Sequence, residues 1–155
     1  MNTIPQPISE FLAGKRFAVA GVSRDHGQAA NAIFQRLKDS GYEVFPLNPN
    51  ASELEGTRCY ADVSSLPGVI DGVIIATHPD KSDEIVKQCA DRGIPHVWFH
   101  RSIGNGSLSQ KALDECRARG VKAIVGGCPL MFCGRVDFFH KWMCRWLQWR
   151  GRVPK

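Results

Sequence analysis

The residues best placed to do chemistry stand between Arg16 and Leu37, in RFAVAGVSRDHGQAANAIFQRL. A short apolar run, Phe17 to Ala20, ends in Gly21, and a loop from Val22 to Gly27 follows. Beyond it Ala30, Ile33, Phe34 and Leu37 recur on one face of a helix. Strand, glycine loop and helix are the opening of a nucleotide-binding βαβ unit. The loop offers backbone N–H groups and the helix start adds the positive end of its dipole, so a phosphate is favoured there. On this reading the glycines let a pyrophosphate approach the backbone, where a Cβ would hold it away. The spacing is G-x5-G rather than G-x-G-x-x-G, and glycine after a strand also serves as a plain turn.

Other reactive residues form no comparable constellation. The six cysteines, at 59, 89, 116, 128, 133 and 144, contain no C-x-x-C pair. Met1 to Leu12 carries prolines and polar residues in place of an apolar leader, so the thiols read as reduced, mostly buried, and cytoplasmic. Cys128 is a candidate nucleophile at a crevice mouth, yet no His–Asp pair can be assigned to it, and a structural cysteine is the preferred reading. His96 and His100 share a strand face with Trp98, but further ligands at recognisable spacing are lacking, so no metal is expected. His78, at a strand end, is a candidate ligand contact.

The elements that must position these residues can be read in order. Ile8 to Ala13 is a short helix, with Ser9 its cap. Phe17 to Ala20 is the first strand, and the helix after the glycine loop ends at Gly41. Tyr42 to Leu47 is the second strand, broken by Asn48-Pro49-Asn50. Thr57 to Tyr60 pairs briefly, and Asp62 to Leu66 is one helical turn stopped by Pro67-Gly68. Ile70 to Ala76 is the third strand, nearly all apolar after Gly72, as suits a parallel strand covered on both faces. Asp80 or Ser82 caps a helix that buries Ile85, Val86, Cys89 and Ala90 and stops at Gly93. Pro95 to Phe99 is the fourth strand. Ser107 or Ser109 caps a helix to Arg119 with Ala112, Leu113 and Cys116 inside, and Val121 to Val125 is the fifth strand.

Strands alternating with helices make a three-layer α/β domain with a parallel sheet of about five strands, and right-handed crossovers make it doubly wound. The ligand crevice of such a sheet lies beyond the carboxyl ends of the strands. Here it would be bordered by residues 21–27, Asn48-Pro49, Thr77-His78-Pro79, 100–104 and 126–130. At 155 residues the chain is a single domain, long enough to bury roughly 70% of its unfolded surface. Its net charge of +5 is compatible with an anionic partner, and no apolar run approaches the length of a membrane span.

The end of the second strand narrows the choice of nucleotide. An NAD site places Asp or Glu there to hold the ribose hydroxyls, whereas this chain has Leu47-Asn48-Pro49. No arginine follows at 50–53 for NADP, and no G-x-x-x-x-G-K-[ST] is present for a P-loop. What the chain does carry is AVAGVSRDHGQAANAIFQRLKDSGYEVFPLNPN, LEGTRCYADVSSLP, DGVIIATHPDKSDEIVKQCADRGIPHVWF and ARGVKAIVGGCPLM. From about Arg16 to Met131 these resemble the small stand-alone CoA-binding domain proteins, which are related to the CoA-binding domain of the succinyl-CoA synthetase α subunit. The phrase G-Y-E-V-F-P-L-N-P followed by L-E-G is the most specific part of the resemblance.

That resemblance implies a Rossmann-like domain holding coenzyme A or an acyl-CoA across the strand ends, more as a binding module than as an enzyme. By position, Gly21, Val22, Ser23 and Arg24, with Gly27, would face the pyrophosphate. Asn48 and Pro49 would border the adenosine side, and Thr77, His78 and Pro79 the pantetheine path. Lys81, Arg24 and Arg101 are candidate phosphate contacts by charge and location. Residues 126–129, Gly-Gly-Cys-Pro, look more like the N-C-P turn of the synthetase than the usual turn of the small proteins. The synthetase also needs a second domain and a partner subunit, for which this chain is too short, so ligase activity is not expected.

Residues 136–150, VDFFHKWMCRWLQWR, form an extra C-terminal helix with Phe139, Trp142, Met143, Trp146 and Leu147 in a stripe. It is expected to dock on its own sheet or to form a homodimer, rather than to bind nucleic acid or membrane. The alternatives to CoA binding are an NAD(P)-dependent oxidoreductase and an interaction module that uses this aromatic helix.

Overall fold

A computed structural model describes residues 4–100 and 106–133. Its main sheet has five parallel strands: β1 (Arg16–Ala20), β2 (Glu43–Leu47), β5 (Gly72–Ile75), β6 (His96–Phe99) and β7 (Lys122–Val125). They run in the order β2-β1-β5-β6-β7, and Phe17 is aligned with Val44 on one side and with Gly72 on the other. Two short strands, β3 (Glu53–Leu54) and β4 (Thr57–Arg58), form a separate antiparallel hairpin. Its turn residues Glu55 and Gly56 both have positive φ, 51° and 68°, as a type I′ turn requires.

The helices are α1 (Gln6–Leu12), α2 (Ala29–Asp39), α3 (Pro79–Asp91) and α4 (Gln110–Arg119). Alternation along β1 sends its side chains to opposite faces of the sheet. Phe17 and Val19 join Ile8, Phe11, Ile33, Phe34, Leu37 and Trp98 in one buried cluster with α1 and α2. Ala18 and Ala20 join Val73, Ile75, Val86, Cys89, Phe99 and Cys116 in the other, with α3 and α4. Each large apolar side chain buried this way contributes about 1.5–3 kcal/mol. Both faces of the sheet are thus covered, as the apolar run after Gly72 foretells.

Three helix starts differ from expectation or settle a choice. The first helix begins after Pro5, so Ser9 lies inside it. The third begins at Pro79 with His78 in the cap position, because proline tolerates the first turn, where its missing N–H has no helical partner. Neither Asp80 nor Ser82 caps it. Ser82 is buried, and its hydroxyl instead donates to the Ser107 carbonyl at 2.6 Å. At the fourth, Ser109 is the cap, its hydroxyl accepting the Ala112 N–H. Arg101 and the helix expected over 136–150 lie outside the described residues.

Candidate functional site

In this strand order β1 and β5 are neighbours whose connections leave in opposite directions, β1 to β2 through α2 and β5 to β6 through α3. The crevice at such a switch point is where doubly wound sheets hold ligands. A cavity of about 390 Å³ lies there. Its lining includes Gly21 after β1, Asn48 and Pro49 after β2, and Thr77 after β5, with Lys81 on α3. Five of the residues chosen from sequence are therefore brought to one cleft.

The others are placed differently. Val22 is fully buried, and only its carbonyl faces the cleft residue Asn48, whose Nδ2 donates to it at 2.9 Å. Ser23 is pinned from both sides by Asn31: its N–H donates to Asn31 Oδ1 at 3.0 Å, and its carbonyl accepts from Asn31 Nδ2 at 2.7 Å. The Arg24 guanidinium donates to the Asn50 carbonyl on the cleft rim at 3.3 Å. Gly27 lies farther along the loop, its N–H given to Asp25. His78 and Pro79 sit at the start of α3, where His78 Nδ1 lies 3.1 Å from Asp80 Oδ2 in an exposed pair. None of these six lines the cleft.

Gly21 has a structural reason of its own. Its φ is +106°, and a Cβ there would collide with the carbonyl oxygen of Ala76 and lie 2.9 Å from the carbonyl carbon. Glycine is demanded by the close approach of β1 and β5, before any ligand is considered. Gly27 has no such need, since a Cβ there would meet only Asp25 Oδ1, at 3.3 Å.

Several cleft and loop residues were not singled out from sequence. On α3, Glu84 and Gln88 line the cleft beside the expected Lys81, and the half-buried Ile85 both packs against the core and reaches the cleft. Asp62 and Val63 also line the cleft. Asp62 also caps its own turn by accepting the Ser65 N–H at 2.8 Å, and the Val63 N–H donates to Gln88 Oε1 at 2.9 Å. Asn31, only 3% exposed, gives its second amide hydrogen to Glu55 Oε1 at 2.7 Å, an atom also 2.7 Å from His26 Nδ1. The amide of Asn31, then His26, hold the Glu55 carboxyl below its usual range. The i, i+3, i+4, i+7 spacing on α3 was the one available signal for its part of the cleft.

Cys128 is buried, and desolvation pushes its thiol up to about 11; the neighbouring Cys133 is pushed up to about 12. A thiol held that high is protonated at neutral pH and is a poor nucleophile. His96 opens β6 at the far end of the sheet from the cleft, while His100 follows its carboxyl end, where burial lowers its pKa. Among the described residues no three His, Cys, Asp or Glu side chains are grouped to hold a metal, and no helix is long and apolar enough to cross a membrane.

Comparison with known proteins places this geometry. The ADP-forming acetate–CoA ligase II of Archaeoglobus fulgidus is 33% identical over 94 residues, 59% of this chain but 14% of the ligase. The corresponding ligase of Methanocaldococcus jannaschii is 25% identical over 118 residues, 74% of this chain and 17% of its own length. The chain thus spans about a sixth of these ligases. Among solved structures, a conserved hypothetical protein from Pyrococcus furiosus matches with a TM-score of 0.67 at 29% identity, covering 74% of this chain and 96% of that one. The dinucleotide-forming acetyl-coenzyme A synthetase 1 of Candidatus Korarchaeum cryptofilum matches with a TM-score of 0.63 at 26% identity, covering 71% of this chain and 25% of that one. The family model described as CoA binding domain matches residues 15–133, the five-stranded sheet and its crevice together, and the chain accordingly belongs to the CoA-binding domain family, with coenzyme A its cofactor.

Proposed function

We propose that the chain holds coenzyme A or an acyl-CoA at the carboxyl ends of β1, β2 and β5, as a binding module that performs no covalent step itself. The observation that carries this reading is the convergence of Gly21, Asn48, Pro49, Thr77 and Lys81 on one cleft within the matched domain. The apolar wall of Leu47, Pro49, Val63 and Ile85 suits a flat base, with Lys81 near the rim for a phosphate. The end of β2 weighs against a nicotinamide enzyme. Asn48 stands where a ribose-binding acid would be, and its amide is committed to the loop, donating to the Val22 carbonyl and accepting the Asn50 N–H at 2.8 Å. The buried state of Cys128 supports assigning no thiol chemistry to the site.

Calorimetric titration with coenzyme A, beside NAD, NADP and ATP, tests the reading. Saturable binding of coenzyme A is expected, weakened roughly tenfold by Lys81→Glu, an exposed change that leaves the melting temperature unmoved. Folded protein that does not bind coenzyme A at millimolar concentration would refute it.

A further inference from the structure

The acid absent from the end of β2 is supplied to the cleft by a later segment. Tyr60 lies beside Leu47 in a parallel bridge, its N–H donating to the Pro46 carbonyl at 3.0 Å and its carbonyl accepting the Asn48 N–H at 2.9 Å. Ala61 and Asp62 therefore leave in the same direction as Asn48 and Pro49, and all four line the cleft. Asp62 Oδ1 is held by the Ser65 N–H at 2.8 Å, while among the described residues Oδ2 accepts no hydrogen bond. The turn that carries Asp62 is fixed to α3. Gln88 Oε1 accepts the Val63 N–H, and the Arg92 guanidinium donates to the Val63 and Leu66 carbonyls at 2.8 and 2.9 Å.

An oriented carboxylate with an open oxygen accepts hydroxyl hydrogens and repels phosphate. In dinucleotide sites an acid beyond β2 holds the ribose hydroxyls, and an arginine serves where that ribose is phosphorylated. Among the described residues the cleft lining contains no arginine, and its one cation, Lys81, is set against two acids, Asp62 and Glu84. Arg24 is turned to the Asn50 carbonyl. An apolar wall for a base, Lys81 for a phosphate and Asp62 for a ribose are the parts a nucleotide needs in one cavity.

We propose that Asp62 is the ribose-binding acid of this cleft: it accepts a ribose hydroxyl of the adenosine moiety, and it disfavours the 3′-phosphate of coenzyme A relative to a free 3′-hydroxyl. This rests on the CoA-binding reading above. Asp62 is exposed, and at such a site one unit charge beside another shifts an equilibrium by about fivefold.

The test is calorimetry with coenzyme A and dephospho-coenzyme A, which differ only in the 3′-phosphate, on wild type, Asp62→Asn and Asp62→Ser. Both replacements keep a cap for the Ser65 N–H while losing the charge. Asp39→Asn, at the far end of α2, makes the same change in net charge and serves as control. The two Asp62 variants are expected to shift the ratio of the two affinities about fivefold towards coenzyme A, with Asp39→Asn like wild type and the shift shrinking between about 50 and 500 mM salt. Dephospho-coenzyme A, which offers the acid both ribose hydroxyls, is expected to bind Asp62→Ser more weakly than wild type. An unchanged ratio, an equal shift in Asp39→Asn, or undiminished binding of dephospho-coenzyme A by Asp62→Ser overturns the inference while leaving the CoA reading standing. Folded wild type that binds neither ligand overturns the two together.

Discussion

A methyl group on Gly21 would meet the backbone carbonyl of Ala76, at a φ of +106° that L side chains rarely adopt. Gly21→Ala is therefore expected to destabilise the fold by roughly 2–4 kcal/mol in urea unfolding, the combined cost of a disfavoured φ and a steric shift. A ligand role for Gly21 cannot be read from such a variant, because the fold responds first. Asn31 organises the same loop from beneath, with three hydrogen bonds to Ser23 and Glu55. Its replacement by Ala leaves the N–H and carbonyl of the half-buried Ser23 without these partners and removes a partner of Glu55. The expected loss is roughly 1–3 kcal/mol, with faster amide exchange at Ser23 as the local signature.

At the scale of elements, β6 and β7 are tied together where they approach the crevice. Trp98, fully buried at the centre of β6, donates its indole N–H to the Gly126 carbonyl at 3.0 Å, and its ring packs edge-on to Phe11 of α1. Trp98→Phe removes that bond and leaves unfilled volume, at an expected cost of roughly 1–3 kcal/mol in denaturant unfolding. Helix α3 has two tasks on adjacent faces: Val86 and Cys89 pack against the sheet, while Lys81, Glu84, Ile85 and Gln88 line the cleft. Both faces of α3 follow helical spacing, and Ile85 sits on their boundary, packed against the core as the apolar stripe implies and also open to the cleft, because periodicity marks the stripe without saying what covers its edge. The strands were legible to within one or two residues, because runs covered on both faces are apolar throughout.

For the molecule as a whole, stability is bounded by pH on both sides. Asp71 accepts the N–H groups of Lys15 and Arg16, which hold its carboxyl below the usual range; Asp25 and Glu55 are lowered likewise. Groups depressed in the folded state contribute stability above their unfolded values, and that contribution is lost as pH falls through the folded ones. His100, lowered by burial, adds a loss in the same direction that begins below its ordinary 6.5. On the alkaline side Cys89, Cys116, Cys128 and Cys133 are raised by burial to about 12, 11, 11 and 12. Their contribution is complete below about pH 9, their unfolded value, and is lost as pH rises towards 11–12. Thermal melts are expected to drop below about pH 6 and again above about pH 9. Iodoacetamide at pH 8, read by peptide mass mapping, is expected to leave Cys59, Cys89, Cys116, Cys128 and Cys133 unlabelled until the chain unfolds, since all five are buried.

The amino-acid sequence by itself determined the order of strands and helices, the doubly wound class and the family, because hydrophobic period, turn residues and the G-Y-E-V-F-P-L-N-P phrase are local properties of the chain. It also placed Asn48, Pro49, Thr77 and Lys81 beyond the strand carboxyl ends, where they line one cleft. Only the tertiary structure decided what each loop residue touches. Gly21 meets Ala76, Asn48 holds Val22, and Asn31 reaches Glu55 across the hairpin turn. These contacts join residues from different elements, and no local periodicity encodes them. They arise when the crossovers fold α2 and α3 onto opposite faces of one sheet and bring its loops together at a single edge.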